Sequence, residues 1–173
     1  MRATELANAL TMAFPVAAFL FNRRRRSKAT DVAFVSSAVT SVTFHTACAF
    51  EVGAGRLLRG LLLADVFMIH ALLLAACSRP TPGMLPAMHA ASFAATVAAL
   101  EWAPVARVAA CVASGATAAP LRRLGGTALA CSGVAALCFL MAGRAPWLHA
   151  LFHVALAPVV AGWGGVGVGG GVP

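Results

Sequence analysis

Long apolar runs, separated by short segments of turn-forming and basic residues, are the feature that most constrains the fold of this chain. Of its 173 residues, 61% are hydrophobic and only 10% are charged. A soluble domain usually carries roughly 25% charged residues. A bilayer accommodates the apolar excess, because a transmembrane helix needs about 20 consecutive, mostly apolar residues. The sequence therefore predicts an all-α membrane protein.

The breaks between the apolar runs divide the chain into seven expected spans. Proline and glycine mark breaks such as residues 79–83 and 143–146. The block 85–119 is too long for one ordinary span and long enough for two. The expected spans are residues 5–21, 31–50, 60–77, 85–103, 105–119, 127–142 and 147–161. We expect one seven-transmembrane helix bundle over residues 1–161, followed by a glycine-rich mobile tail over residues 162–173.

The basic residues indicate how the bundle is oriented. The formal net charge is +8, but the basic residues lie in short loops and accompany no RNA-binding motif, so we expect no nucleic-acid partner. Lysine and arginine accumulate in cytosolic loops of membrane proteins. Eight of them fall on one side of the expected topology, with a cluster at residues 23–28, and five fall on the other. This predicts a non-cytosolic N-terminus and a cytosolic C-terminus.

The first apolar run also has the length of a signal peptide. Glu5 inside it, the lack of a clear small-residue cleavage site and the basic cluster after it favour a retained helix.

Polar residues inside the expected spans indicate a functional site. His149 and His153 are four residues apart, so they share a helix face about one turn apart. Two stacked imidazoles inside a bilayer call for a ligand or a partner, because polar groups there are costly. Taken alone, His45 would be a packing residue more often than a ligand. Asp65, a carboxylate well inside a span, is either functional or a protonated group hydrogen-bonded between helices.

The odd number of expected spans places these residues at one depth in the membrane. With seven spans, the second span ends, and the third and seventh begin, on the non-cytosolic side. At about 1.5 Å per residue, His45 and Asp65 each lie about 7 Å inside their span ends. His149 and His153 lie about 3 and 9 Å inside theirs. We therefore expect all four side chains to meet in one leaflet.

Three imidazoles with an open fourth position are typical of catalytic zinc, which lowers the pKa of a bound water to about 7. Asp65 would orient that water or accept its proton. Ser41, one turn before His45, would donate a hydrogen bond to an oxyanion or hold His45 in place.

The remaining carboxylates and histidines are expected to lie outside this site. Four carboxylates lie at span ends, where water is near: Glu5, Asp31, Glu51 and Glu101. His70 follows Asp65 by five residues and points to a different face, so we expect it to serve packing. His89 lies near the cytosolic side, too far away to be a ligand.

The polar residues, in this order and on these spans, resemble the CREST superfamily of seven-pass membrane proteins. That superfamily includes the alkaline ceramidases, the progestin and adipoQ receptors, and the myomaker and transmembrane-protein-8 family. The shared pattern is S-x-x-x-H in span two, D in span three and H-x-x-x-H in span seven. Here these residues are Ser41, His45, Asp65, His149 and His153. The resemblance implies that the three histidines bind zinc, with Ser41 and Asp65 beside it.

Within the superfamily the chain is most similar to the myomaker and transmembrane-protein-8 branch. It is compact, its first span is followed by a basic cluster, and its second span ends in His45-Thr-Ala-Cys48. The likeness covers the first three spans and the seventh, and spans four to six add little beyond hydropathy.

Three functions are compatible with these features. The first is a zinc-dependent hydrolase of a lipid amide or ester, with membrane lipid as its substrate. The second is a non-catalytic membrane protein, a receptor, fusion factor or assembly factor, in which zinc joins spans two, three and seven. The third, a proton or ion pathway, is disfavoured because the polar groups cluster in one leaflet. The first two need the same ligands, so the sequence leaves both open, as it leaves open the oligomeric state and the choice between plasma membrane and endomembrane.

Overall fold

The computed structural model describes residues 2–22, 28–52, 55–77, 126–142 and 144–162, together with residues 90, 91 and 94. All regular secondary structure in these ranges is helical, which confirms the all-α prediction for this part of the chain. In chain order the helices are α1 (Arg2–Thr11), α2 (Ala13–Phe21), α3 (Lys28–Phe50), α4 (Arg56–Cys77), α5 (Gly126–Met141) and α6 (Trp147–Gly162).

These helices cover five of the seven expected spans. Together α1 and α2 cover the first, α3 and α4 cover the second and third, and α5 and α6 cover the sixth and seventh. The helix ends lie within a few residues of the expected ends. The expected spans at residues 85–103 and 105–119 fall outside the described residues, apart from three isolated positions. Gly162, predicted to begin the tail, is the last residue of α6, and residues 163–173 are outside the described part.

A proline explains why the first span consists of two helices. Pro15 has no N–H to donate to the carbonyl of Thr11, four residues earlier. Accordingly α1 ends at Thr11, and Met12 precedes α2 with φ −60° and ψ −18°. The helical hydrogen bonds resume where the Val16 amide meets the Met12 carbonyl at 3.2 Å. The sequence predicted a retained helix here, and despite the break Arg2–Phe21 is long and apolar enough to cross a membrane.

The C-terminus of α3 forms a Schellman motif whose left-handed residue is not glycine. The Val52 amide donates to the Ala47 carbonyl at 2.9 Å, and the Glu51 amide donates to the Cys48 carbonyl at 3.3 Å. Glu51 adopts a φ of 53°. Its carboxylate accepts two hydrogen bonds from the Arg2 guanidinium, at 2.8 and 2.5 Å. This ion pair joins the end of α3 to the start of α1.

Hydrogen bonds at the opposite end of the bundle fix the directions of the helices. The Asn22 side-chain amide, just after α2, donates to the Ala161 carbonyl near the end of α6 at 2.9 Å. The Thr30 hydroxyl, near the start of α3, donates to the Ala75 carbonyl near the end of α4 at 3.1 Å. Therefore α6 runs parallel to α1 and α2, while α4 runs antiparallel to α3.

The packing of α5 against α6 completes this arrangement. Phe139 near the end of α5 contacts Phe152 near the start of α6, with ring centroids 5.3 Å apart, so these two helices are antiparallel. We call the end of the bundle that contains Arg2, Glu51 and Trp147 the Arg2 end, and the end that contains Asn22 the Asn22 end.

An apolar core fills the half of the bundle nearer the Asn22 end. Its buried members are Met12, Phe19, Ala33, Phe34, Ala38, Leu72, Val159 and Val160. The rings of Phe19 and Phe34 stack with centroids 4.0 Å apart and planes 8° apart. Alanines on α3 allow the neighbouring helices to approach closely, which is the packing expected between helices in lipid.

Several polar residues are buried in the bundle, and many large apolar side chains are exposed. The buried polar residues are Asn8, Thr30, Ser37, Ser41, His45, Asp65 and His153. Large apolar side chains that are more than half exposed include Leu10, Leu20, Phe21, Val32, Val39 and Phe50. Within the described residues, Arg2–Phe21 and Lys28–Phe50 are long and apolar enough to cross a membrane.

Candidate metal centre

Three histidines from two helices converge towards the Arg2 end. His45 on α3 and His149 and His153 on α6 each offer one ligand atom, and these atoms all lie within 4.8 Å of one another. Their ring centroids are 4.8 to 5.6 Å apart. A tetrahedral ion with metal–nitrogen bonds of about 2.0–2.1 Å separates its ligand nitrogens by about 3.3 Å. The cluster is slightly wider than a coordination sphere, and it could hold a metal ion.

The two histidines of α6 share one face, as their spacing predicts. His153 is 2% exposed, whereas His149 is partly buried. The His149 ring packs between Phe139 and Phe152, with ring centroids at 6.0 and 5.5 Å. Aromatic contacts from α5 and α6 therefore hold this imidazole.

His45 is oriented by a carboxylate from α1. Its Nδ1 lies 2.7 Å from Oε2 of Glu5. An ionised carboxylate only accepts hydrogen bonds, so Nδ1 carries the proton and donates. Nε2 then carries the free lone pair, and this buried atom has no hydrogen-bond partner among the described residues. Buried polar atoms are rarely left unpaired, and a cation would satisfy this one.

His153 is oriented in the same way by the backbone of α1. Its Nδ1 lies 2.9 Å from the Asn8 carbonyl oxygen and 3.1 Å from the Thr11 hydroxyl. The Thr11 hydroxyl donates to the same Asn8 carbonyl at 3.0 Å, so both of these oxygens can accept from the His153 ring. Nδ1 is again the donor, and Nε2 is free to bind a metal.

Asp65 and Ser41 are buried beside His45 and lie close to each other. Asp65 on α4 is 6% exposed, interacts electrostatically with His45, and has the Ser41 hydroxyl within hydrogen-bonding reach. Its Oδ1 is buried without a partner in the described part of the chain. The sequence predicted that Ser41 donates a hydrogen bond to an oxyanion or holds His45 in place; the structure places it close to Asp65, and its role stays a prediction.

The contribution of α1 was missed at the sequence level. Glu5 was expected at a span end near water, yet its side chain is only 29% exposed and is hydrogen-bonded to His45. Asn8 and Thr11 were not considered. A signal was present: Glu5, Asn8 and Thr11 are spaced by three in an otherwise apolar helix, which places them on one face. That face points at the histidines.

Two histidine predictions fall outside the described atoms, namely the side chain of His70 and all of His89. No protein-family model, curated protein or solved structure matches this chain. Its function is therefore argued from the chemistry of the site.

Proposed function

We propose that this chain is a CREST-type, seven-pass membrane protein that hydrolyses a lipid amide or ester at a zinc ion held by His45, His149 and His153. The observation that carries the proposal is the convergence of these imidazoles beside Asp65, a buried carboxylate with one unpartnered oxygen.

The burial of polar residues together with the exposure of large apolar side chains supports a bilayer environment. A 23-residue helix such as α3 is about 34 Å long, enough for a hydrocarbon core of about 30 Å. In lipid, apolar side chains such as Val32 and Val39 are stable on the outer surface of the bundle, while ionisable groups such as Asp65 face its interior.

Helix direction supports seven crossings. α4 ends, and α5 begins, at the Asn22 end, which is compatible with two further spans between them. Residues 78–125 are 48 in number, which suits two spans of about 20 residues. Two more spans, added to the five that the described helices cover, give seven.

The ligand set favours zinc. Three neutral imidazoles and an open fourth position are the usual protein share of a catalytic zinc site. A bound zinc ion would polarise a carbonyl oxygen and make a water nucleophilic at neutral pH. His45 and His153 are oriented for this role, because the Nδ1 of each is hydrogen-bonded to a group of α1. This leaves the Nε2 lone pair of each ring to bind the metal.

Asp65 is suited to handle the proton. Its buried Oδ1 has no partner among the described residues, so it could accept a proton from the attacking water and pass it to the leaving group. A positioned acid–base group of this kind contributes about 10²–10⁴-fold to a rate.

Depth favours a lipid substrate. His45 lies five residues before the end of α3, hence about 7 Å inside the bundle. Interfacial groups buried about 5–10 Å reach the boundary between headgroups and acyl chains. Amide and ester carbonyls of membrane lipids lie at that boundary, within reach of the site.

The test compares wild type, Asp65→Asn and Glu51→Gln in nanodiscs, against panels of N-acyl lipids and glycerol esters. Asp65→Asn should keep its zinc and its thermal stability while kcat falls by about 10²–10⁴-fold. Glu51→Gln, which alters an exposed carboxylate at the same end, should behave as wild type. Unchanged turnover in Asp65→Asn would contradict the assigned role.

A structural zinc site is the second candidate, favoured by the burial of His45 and His153, which are 3% and 2% exposed. In that case zinc would join α3 to α6, and its removal would lower the melting temperature. Zinc-loaded wild type that hydrolyses none of the panel would favour this alternative.

A further inference from the structure

One face of α1 presents hydrogen-bond acceptors to two of the three histidines. The Glu5 carboxylate lies 2.7 Å from Nδ1 of His45, and the Asn8 carbonyl lies 2.9 Å from Nδ1 of His153. The two acceptors are three residues apart, so they lie on neighbouring turns of one face. A helix that supplies no metal ligand therefore contacts both imidazoles on the side away from Nε2.

The two acceptors differ in chemistry and in whether a substitution can remove them. The Asn8 carbonyl is fixed by the backbone of α1, so no side-chain substitution removes it. The Glu5 carboxylate is a side chain and carries a charge. It is itself steadied by the Asn8 amide, whose Nδ2 lies 3.3 Å from the same Oε2. Of these two acceptors, therefore, only the Glu5 carboxylate can be changed by a substitution.

The two carboxylates near His45 are bonded differently. Glu5 is bound to Nδ1, on the ring side opposite the unpartnered Nε2. Asp65 contacts neither nitrogen of His45 by a hydrogen bond and has a buried oxygen, Oδ1, without a partner in the described residues. Glu5 is thus placed to act through His45, and Asp65 is placed to act directly. Together the two negative charges would balance a divalent cation in a region where an unbalanced charge is costly.

We propose that Glu5 is a positioning residue of the metal site: its carboxylate accepts a hydrogen bond from the protonated Nδ1 of His45, which fixes the ring tautomer and makes Nε2 a more basic ligand for the metal. This inference rests on the proposed zinc site. Hydrogen bonds from metal-binding histidines to carboxylates orient the ring and typically change metal affinity by 10–100-fold.

Zinc affinity of the full-length protein in detergent, measured by chelator competition, tests the proposal. Glu5→Ala should bind zinc about 10–100-fold more weakly than wild type. Glu5→Gln keeps an acceptor without the charge and should fall between the two. Glu51→Gln should match wild type, because its carboxylate pairs with Arg2 and contacts no histidine.

The absorption spectrum of the cobalt-substituted protein gives a second readout. Glu5→Gln and Glu5→Ala should bind one equivalent at saturation, with shifted d–d bands and unchanged coordination number. Affinity within twofold of wild type in Glu5→Ala, or no difference between Glu5→Gln and Glu5→Ala, would overturn the role of Glu5 and leave the zinc site standing. Wild type without any metal affinity would overturn the zinc site and this inference together.

If Glu5→Ala aggregates, the zinc affinities of Glu5→Gln and Glu51→Gln are compared instead. Each removes one carboxylate charge at the Arg2 end, but only Glu5 contacts a histidine. Equal affinity in these two variants would contradict the proposal.

Discussion

At the scale of single residues, the site depends on which nitrogen of each imidazole is free. The Nδ1 atoms of His45 and His153 are engaged by groups of α1, and the Nε2 of His45 is buried without a partner. A metal-free site therefore leaves the hydrogen-bonding capacity of a buried atom unused, which costs about 1–3 kcal/mol per group. Binding a cation removes this penalty.

Replacing a histidine ligand should weaken zinc binding more than replacing Glu5, which only orients a ligand. We expect His153→Ala to weaken zinc binding beyond the about 100-fold limit typical of outer hydrogen bonds, because it removes one of three donor nitrogens. His70→Ala, expected from the sequence to lie on another face, should retain wild-type affinity. Chelator competition measures both, and His153→Ala that binds as tightly as His70→Ala would contradict the ligand assignment.

Sequence reasoning went further for the ligands than for their partners. The i, i+4 spacing of His149 and His153 and the parity of the spans predicted that these residues and His45 would meet, and the rings do lie together. Glu5 was missed because a carboxylate at a span end is usually hydrated. Only the packing of α1 against α3 and α6 decides that it points inward, and that information is tertiary.

At the scale of the elements, hydropathy predicted the helix ranges to within a few residues, but it did not predict the break at Met12 or the conformation that ends α3. The break at Met12 follows from Pro15, which was visible in the sequence, but a proline can also kink a helix without dividing it. Glu51 in a left-handed conformation was not foreseeable, because Gly53 nearby is the residue type that favours this conformation.

Glu51 yields an ordered stability prediction for the end of α3. A left-handed non-glycine residue costs about 1 kcal/mol, and an exposed ion pair such as that with Arg2 returns about 0–1 kcal/mol. Glu51→Gly should therefore be as stable as wild type or slightly more stable. Glu51→Ala keeps the strain, loses the pair, and should be up to about 1 kcal/mol less stable. Thermal unfolding in detergent tests the order, and a Gly variant less stable than the Ala variant would contradict it.

At the scale of the whole molecule, the helix directions make a topology prediction. Glu51 and the segment that contains Arg144 lie at the Arg2 end, and Asn22 and the start of α5 lie at the other end. In a cysteine-free variant directed to the plasma membrane, Glu51→Cys and Arg144→Cys should react with an impermeant maleimide on intact cells. Asn22→Cys and Gly126→Cys should react only after permeabilisation. Glu51→Cys and Arg144→Cys labelled from opposite sides would contradict the arrangement.

The account as a whole depends on one cation bound by three imidazoles. Zinc K-edge X-ray absorption of the purified protein is its most direct test, because nitrogen and oxygen ligands lie at about 2.0–2.1 Å and cysteine sulfur at about 2.3 Å. We predict one zinc per chain with four light-atom ligands, three of them showing the outer-shell pattern of imidazole. A folded protein without zinc, or a spectrum with sulfur ligands, would contradict the account.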